Sequence, residues 1–156
     1  SDVVVKPAVS AGSFRTLRVQ PHQIDDGEAH LADLLLERDV LVQPYLSSVE
    51  GHGERALIWI DGQLTHAIRK SPRWQGEDES VSAEAMPISP QEAALAQAAV
   101  AAVQGRGELL YARVDMAPGP SGAPMLMELE LIEPSLFFPQ GPTGLARFAE
   151  ALRRRL

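Results

Sequence analysis

Asp61-Gly62 lies between two runs rich in apolar residues, 55–60 and 64–70, and this dipeptide constrains the fold more than any other feature. Both positions tolerate the positive φ of a two-residue hairpin turn, so the runs predict adjacent antiparallel strands. Around this hairpin, residues 3–5, 14–19 and 40–43 read as short strands. Residues 26–38 read as a helix that buries Ala29, Leu31, Leu34 and Leu35. Residues 71–88 mix Pro, Gly, Ser and charge without periodicity, which predicts a long loop of the kind that often serves as a lid. Ser89-Pro90-Gln91-Glu92 is a capping box with Pro at the first helical position. It opens an Ala-rich helix running to Gln104, which Gly105 and Gly107 end. Strands at 109–116 and 125–132 follow, joined by a Pro/Gly-rich connection. A closing helix over 144–155 presents Leu145, Phe148, Ala149 and Leu152 at helical spacing. The fold class is therefore α+β, with mixed, largely antiparallel sheets and helices packed on one side.

At 156 residues, 45% hydrophobic and 22% charged, the chain has the size of one domain with a sizeable core. Its first strand starts after only two residues, so a truncated front is expected. A net charge of -7 argues against general nucleic-acid binding, which needs clustered Lys and Arg to displace counterions from phosphates. The one basic run, Arg153-Arg154-Arg155, falls where cations complement the negative end of a helix dipole. Without cysteine there is no disulfide, thiolate zinc site or thiol nucleophile, which fits a cytoplasmic protein. No apolar stretch reaches the roughly 18 residues of a membrane helix, and no signal peptide opens the chain, so no membrane partner is expected.

The chemistry concentrates in the strands at 109–116 and 125–132. Period-two alternation puts Tyr111, Arg113 and Asp115 on one strand face and Ala112, Val114 and Met116 on the other. In the partner run, Leu126, Glu128, Glu130 and Ile132 share one face, and Met125, Met127, Leu129 and Leu131 the other. If the two strands form a hairpin, Asp115 faces the Glu128/Glu130 pair. Like charges so placed repel, and a cluster of hard oxygen ligands without His or Cys suits Mg²⁺ or Mn²⁺. An exposed sheet face with solvated charges satisfies the same spacing. At the amino end, Lys6 closes the first strand and a Gly/Ser-containing stretch follows it, an arrangement that can hold phosphate but equally makes an ordinary turn. His22, His30, His52 and His66 lack metal-ligand spacing and take no role. Trp59 reads as core, while Trp74 in the charged loop either covers a ligand or packs locally.

The order of Val-Lys6-Pro7, Gln43-Pro44-Tyr45-Leu46, Arg113-Val-Asp115 and Glu128-Leu-Glu130 resembles the ATP-grasp carboxylate-amine ligases over nearly the whole chain. It is similar to glutathione synthetase and D-alanine:D-alanine ligase, and in its ending at residues 128–135 to relatives of the cyclo-ligase of cycloserine biosynthesis. The resemblance implies a carboxy-terminal piece, with residues 1–42 a remnant of the first ATP-grasp subdomain and 43–156 the second. It implies ATP and Mg²⁺ (or Mn²⁺) as cofactors, and small-molecule carboxylate and amine substrates. By the same comparison Lys6 reaches nucleotide phosphate, Gln43, Pro44, Tyr45 and Leu46 clasp the adenine, and Glu54 binds ribose. Asp115, Glu128 and Glu130 hold the metal; many relatives have Asn at the last position. Arg113 steadies the reacting intermediate. Lys70, with Arg69, ends a strand beside the presumed lid and meets phosphate or substrate carboxylate, or is a surface cation. A homodimer through exposed strands is a further possibility. The competing reading is a non-catalytic nucleotide-binding or interaction domain that keeps the fold.

Overall fold

The structure is a computed structural model that describes residues 1–10, 13–71, 80–103 and 109–156. The chain divides into two compact units, Ser1–Tyr45 and Leu46–Leu156.

In the first unit, β1 (Val3–Pro7) lies between β2 (Leu17–Val19) and β3 (Val40–Pro44), antiparallel to both. Helix α1 (Ile24–Leu35) packs on one face through Leu34, which meets Val5 and Val19 in a small core. Gly27 permits that approach, because a Cβ there would fall 2.7 Å from a Val19 methyl. The buried stripe of α1 is narrower than the sequence suggests: Leu34 is fully buried, whereas Leu35 is 58% exposed and Ala29 is also exposed. Adjacent helical positions lie about 100° apart, so a helix resting on a three-stranded sheet buries one of the two leucines. β2 is also shorter than expected. Ser13 and Arg15 adopt positive φ, which turns the chain and leaves Phe14 half exposed before the strand begins.

In the second unit, four antiparallel strands run in the order β5-β4-β6-β7: β4 (Glu54–Ile60), β5 (Gln63–Lys70), β6 (Tyr111–Pro118) and β7 (Pro124–Glu130). Asp61 and Gly62 both have positive φ and close the β4–β5 hairpin as expected. A short helix, α2 (Ser48–His52), precedes β4 where the sequence suggests only a turn. Leu57, Trp59, Ala67, Ala112, Val114 and Met116 face α3 (Pro90–Ala101), which meets them with Ala96, Ala99 and Val100. These small side chains let the helix sit close over a sheet of large ones. The capping box forms: the Glu92 amide donates to the Ser89 hydroxyl, and the Ser89 amide donates to the Glu92 carboxylate. Helix α3 ends at Ala101, and Gly105 and Gly107 lie outside the described residues.

The opposite sheet face meets α4 (Pro142–Arg155) only near one end. The side of α4 turned inward is Gly144, Phe148 and Ala151, with Gly141 just before it; of the Leu145, Phe148, Ala149 and Leu152 set read from the sequence only Phe148 lies there, and Leu145 is 46% exposed. Gly141 and Gly144 press against the His66 ring, where any Cβ would collide, and Phe148 packs against Tyr111 and Phe138. Close approach of backbone to a ring sets this face more strongly than leucine burial. Arg154 and Arg155 pair with Asp61 in the β4–β5 turn at 2.5 and 2.9 Å, so two members of the basic run tie down the helix end. After β5, residues 80–86 return beside its outer edge, with bridges Lys70↔Val81 and Ala67↔Met86. Residues 72–79 of the expected lid, with Trp74, lie outside the described residues. Among the described residues no helix is long and apolar enough to cross a membrane.

Candidate functional site

Register decides what the β6–β7 hairpin can do. Asp115 lies directly opposite Glu128, and Arg113 opposite Glu130. The sequence alternation is regular up to this point and then breaks, because the ladder shifts between Asp115 and Met116. Beyond the shift Leu126 pairs with Met116 and Met125 with Ala117, so Leu126 leaves the acidic face assigned to it from the sequence.

The carboxylates of Asp115, Glu128 and Glu130 each offer an oxygen within 4.8 Å of the others. Asp115 is fully buried, Glu130 half-buried and Glu128 exposed, so the cluster opens outward along β7. Two cations meet it, Lys70 from β5 across β4 and Arg113 from β6 itself. Lys70 Nζ donates to Asp115 Oδ2 at 2.5 Å and pairs with Glu54 Oε2 at 3.0 Å. Arg113 donates through Nε to Asp115 Oδ1 at 3.0 Å and through Nη2 to Oδ2 at 3.0 Å, and it also pairs with Glu130. The Arg113 guanidinium lies 5.8 Å from the Phe137 ring centroid, and its Nη1 donates to the Ser135 carbonyl at 3.5 Å. The segment after β7 thus forms one wall of the site, and both Glu133 and Phe137 hold positive φ there. His66 supports this wall by bonding the Leu136 carbonyl through Nε2 at 2.9 Å.

The electrostatics follow from burial and charge. Burial opposes the Lys70 ammonium, but Asp115 and Glu54 outweigh it and hold its pKa above the ordinary value. Arg113 is likewise raised, burial being overcome by Asp115 and Glu130. Glu130 is pushed up, first by burial and then by Asp115 and Glu128, against the pull of Arg113. Like charges about 4 Å apart at an effective dielectric near 20 repel by roughly 4 kcal/mol, so an acid cluster of this kind calls for resident cations. The donor set is all hard oxygen, which suits Mg²⁺ at its bond length of about 2.1 Å.

Of the residues singled out from the sequence, Glu54, Lys70, Arg113, Asp115, Glu128 and Glu130 converge on this one face of the second unit. Glu54 enters through its ion pair with Lys70, a link not anticipated from the sequence. Leu46 begins the same unit. The others belong to the first unit and are described within it. Lys6 is buried on β1, opposite Leu41 of β3, and alternation puts it on the sheet face away from α1. Gln43, opposite Val4, shares that face. The Tyr45 ring lies 3.8 Å from the Arg18 guanidinium, and Pro44 is exposed. An open groove of about 230 Å³, lined by Arg55, Glu92 and Met116 among others, lies on the α3 face of the sheet and is separate from the acid cluster.

No family model matches the chain. It is 36% identical over 166 residues to the cycloserine biosynthesis protein DcsG of Streptomyces lavendulae, covering 99% of this chain and 55% of that protein. The crystal structure of D-cycloserine synthetase DcsG superposes with a TM-score of 0.88 at 35% identity, covering 99% of this chain and 55% of the other. The chain thus spans about half the length of the curated relative it matches. The ATP-grasp ligase PsnB, solved with a precursor variant, Mg and ADP, has a TM-score of 0.64 at 22% identity and covers 99% of this chain and 46% of its own. D-alanine–D-alanine ligase from Bacillus anthracis, solved with ATP, has a TM-score of 0.62 at 18% identity, covering 98% and 50%. By sequence this chain is similar to DcsG over about half of that protein, and its fold is that of the ATP-grasp ligases.

Proposed function

We propose that this chain is the ATP- and Mg²⁺-binding portion of a ligase that activates a carboxylate as an acyl phosphate for attack by an amine. The observation that carries the reading is the direct opposition of Asp115 and Glu128, with Glu130 beside them and Lys70 and Arg113 among the three carboxylates. Clustered acids next to fixed cations are what phosphoryl transfer needs, because catalysis there rests on positioning and charge. In such a reaction a carboxylate oxygen attacks the γ-phosphorus of ATP and the bond to ADP breaks. The amine nitrogen then attacks the acyl carbon, phosphate leaves and the nitrogen loses a proton.

Asp115, Glu128 and Glu130 would hold Mg²⁺, which when bound offsets charge on the phosphate oxygens. Arg113 steadies the negative charge of the transferring group and of the tetrahedral intermediate, and Asp115, Glu130 and the Phe137 ring hold it in place. Within the second unit, Lys70 serves phosphate from β5, Leu46 the adenine and Glu54 ribose hydroxyls; within the first, Lys6 on β1 is the phosphate-binding residue and Gln43, Pro44 and Tyr45 the adenine-binding ones. Since the relatives are about twice as long as this chain, we expect it to bind nucleotide weakly and not to turn over by itself.

Ligand binding to the folded state raises the melting temperature by mass action. A thermal melt with a non-hydrolysable ATP analogue should shift upward in Mg²⁺ and not in EDTA. Glu128→Gln and Glu130→Gln should each abolish the Mg²⁺-dependent part. Variants that keep the full shift would remove the metal assignment and favour a non-catalytic domain.

A further inference from the structure

Asp115 is a saturated carboxylate. Its side chain is 1% exposed, and among the described residues its hydrogen bonds and ion pairs all come from cations: Lys70 and two nitrogens of Arg113 on Oδ2, and Arg113 Nε on Oδ1. A carboxylate offers about four lone-pair positions, so these contacts leave little capacity for another ligand. Of the two cations, Arg113 is held on several sides, by Asp115, Glu130, the Ser135 carbonyl and the Phe137 ring. Lys70 is held differently. Its backbone is fixed, paired with Glu54 on one side and bridged to Val81 on the other. Its ammonium sits at the end of a flexible four-carbon stem between two anions, Asp115 at 2.5 Å and Glu54 at 3.0 Å. It can release one anion while keeping the other.

Resting on the function proposed above, we propose that Lys70 is the resident counter-ion of the acid cluster, so that the site binds a divalent cation more tightly together with nucleotide phosphate than alone. A bare divalent cation approaching Asp115 meets an ammonium already seated on the same carboxylate, and the two positive charges repel. A phosphate arriving with the metal reverses the balance. It offsets the metal's charge and offers the ammonium a new partner within reach of the same stem, freeing an Asp115 oxygen. Nucleotide without metal is disfavoured in turn, because its phosphates face Asp115, Glu128 and Glu130. Metal and phosphate thereby raise each other's affinity by one common factor.

The proposal makes Lys70 act in opposite directions on two ligands, which a simple phosphate-binding lysine would not do. The test measures Mn²⁺ binding to this chain by electron paramagnetic resonance of free Mn²⁺, alone and with a non-hydrolysable ATP analogue, in wild type and Lys70→Met. We expect Lys70→Met to bind bare Mn²⁺ more tightly, by a factor within the usual coupling range of about 5–150, and the Mn²⁺–analogue complex more weakly. Equal or weaker bare-Mn²⁺ binding by the variant overturns the proposal while leaving the ATP-grasp function intact. If wild type binds no Mn²⁺ even with the analogue, the proposed function fails and takes this inference with it. Should Lys70→Met lack a cooperative melt, Glu54→Gln carries the test with Lys70 in place. Without the alternative anchor, Lys70 should bind Asp115 more firmly and weaken bare-Mn²⁺ binding further, and unchanged or tighter binding overturns the proposal.

Discussion

At the scale of single residues, Gly53 sets the position from which Lys70 works. It has φ 74° and ψ −169°, a combination that is almost exclusive to glycine. A Cβ there would also run into the Lys70 carbonyl, closer than real Cβ contacts allow. Gly53→Ala should therefore destabilise the second unit by about 1–3 kcal/mol, the usual cost of such backbone strain, and add a displacement of β5 at Lys70. The midpoint of urea denaturation reads the first effect, and an unchanged midpoint would show that the turn relaxes freely. How much of the site is legible also differs residue by residue. The approach of Asp115 to Glu128 and Glu130 follows from period-two alternation across a short connection, both local properties. The Glu54–Lys70–Asp115 chain does not, because it depends on β4 lying between β5 and β6, an order no local pattern encodes. The displacement of Leu126 is hidden for a related reason, since a bulge changes register without any marker residue in β7.

Among the elements, α3 shows how a local sequence signal acquires a long-range function. Ser89 and Glu92 cap the helix, and the same Glu92 carboxylate accepts from Arg55 Nε of β4 at 2.7 Å. The side chains are 6% and 14% exposed. Breaking a buried ion pair from one side leaves an uncompensated charge and typically costs about 3–5 kcal/mol, whereas losing a cap costs about 0.5–2 kcal/mol. Glu92→Gln should consequently destabilise more than Ser89→Ala, and the reverse order in thermal melts would show the ion pair to be dispensable. The pH dependence has a definite sign. Burial works to raise the Glu92 pKa, but the Arg55 and Ser89 hydrogen bonds overcome it and hold it below the ordinary 4.5. The ionised form stabilises the fold fully above about 4.5, and that contribution disappears as pH falls toward the lowered folded value. Glu92→Gln should remove this part of the acid sensitivity. The capping box is plain in the sequence, while the Arg55 pairing is not, because it spans 37 positions between a strand and a helix. The inward face of α4 is missed for another reason: hydrophobic periodicity counts Leu145 and Leu152, but the contact is made by Gly141 and Gly144 against a histidine ring.

For the whole molecule, the two units differ in how much each can stabilise itself. Among the described residues, the Ser1–Tyr45 unit has one core cluster, in which Val5, Val19 and Leu34 are buried, whereas the Leu46–Leu156 unit buries nine residues in its main cluster alone. Within the first unit Leu36 is 82% exposed and Val42 55% exposed. Its stability therefore sits at the low end and that of the four-stranded sheet at the high end, because local opening follows the density of buried apolar contacts. Amide hydrogen exchange measures this directly. Val5 in β1 should exchange through openings of much lower free energy than Leu57 in β4 or Val114 in β6, although all three are buried strand residues with sheet partners on both sides. Val5 protected to the same level as Leu57 and Val114 would mean that the two units unfold as one cooperative body, and that the small core of the first is not what limits it.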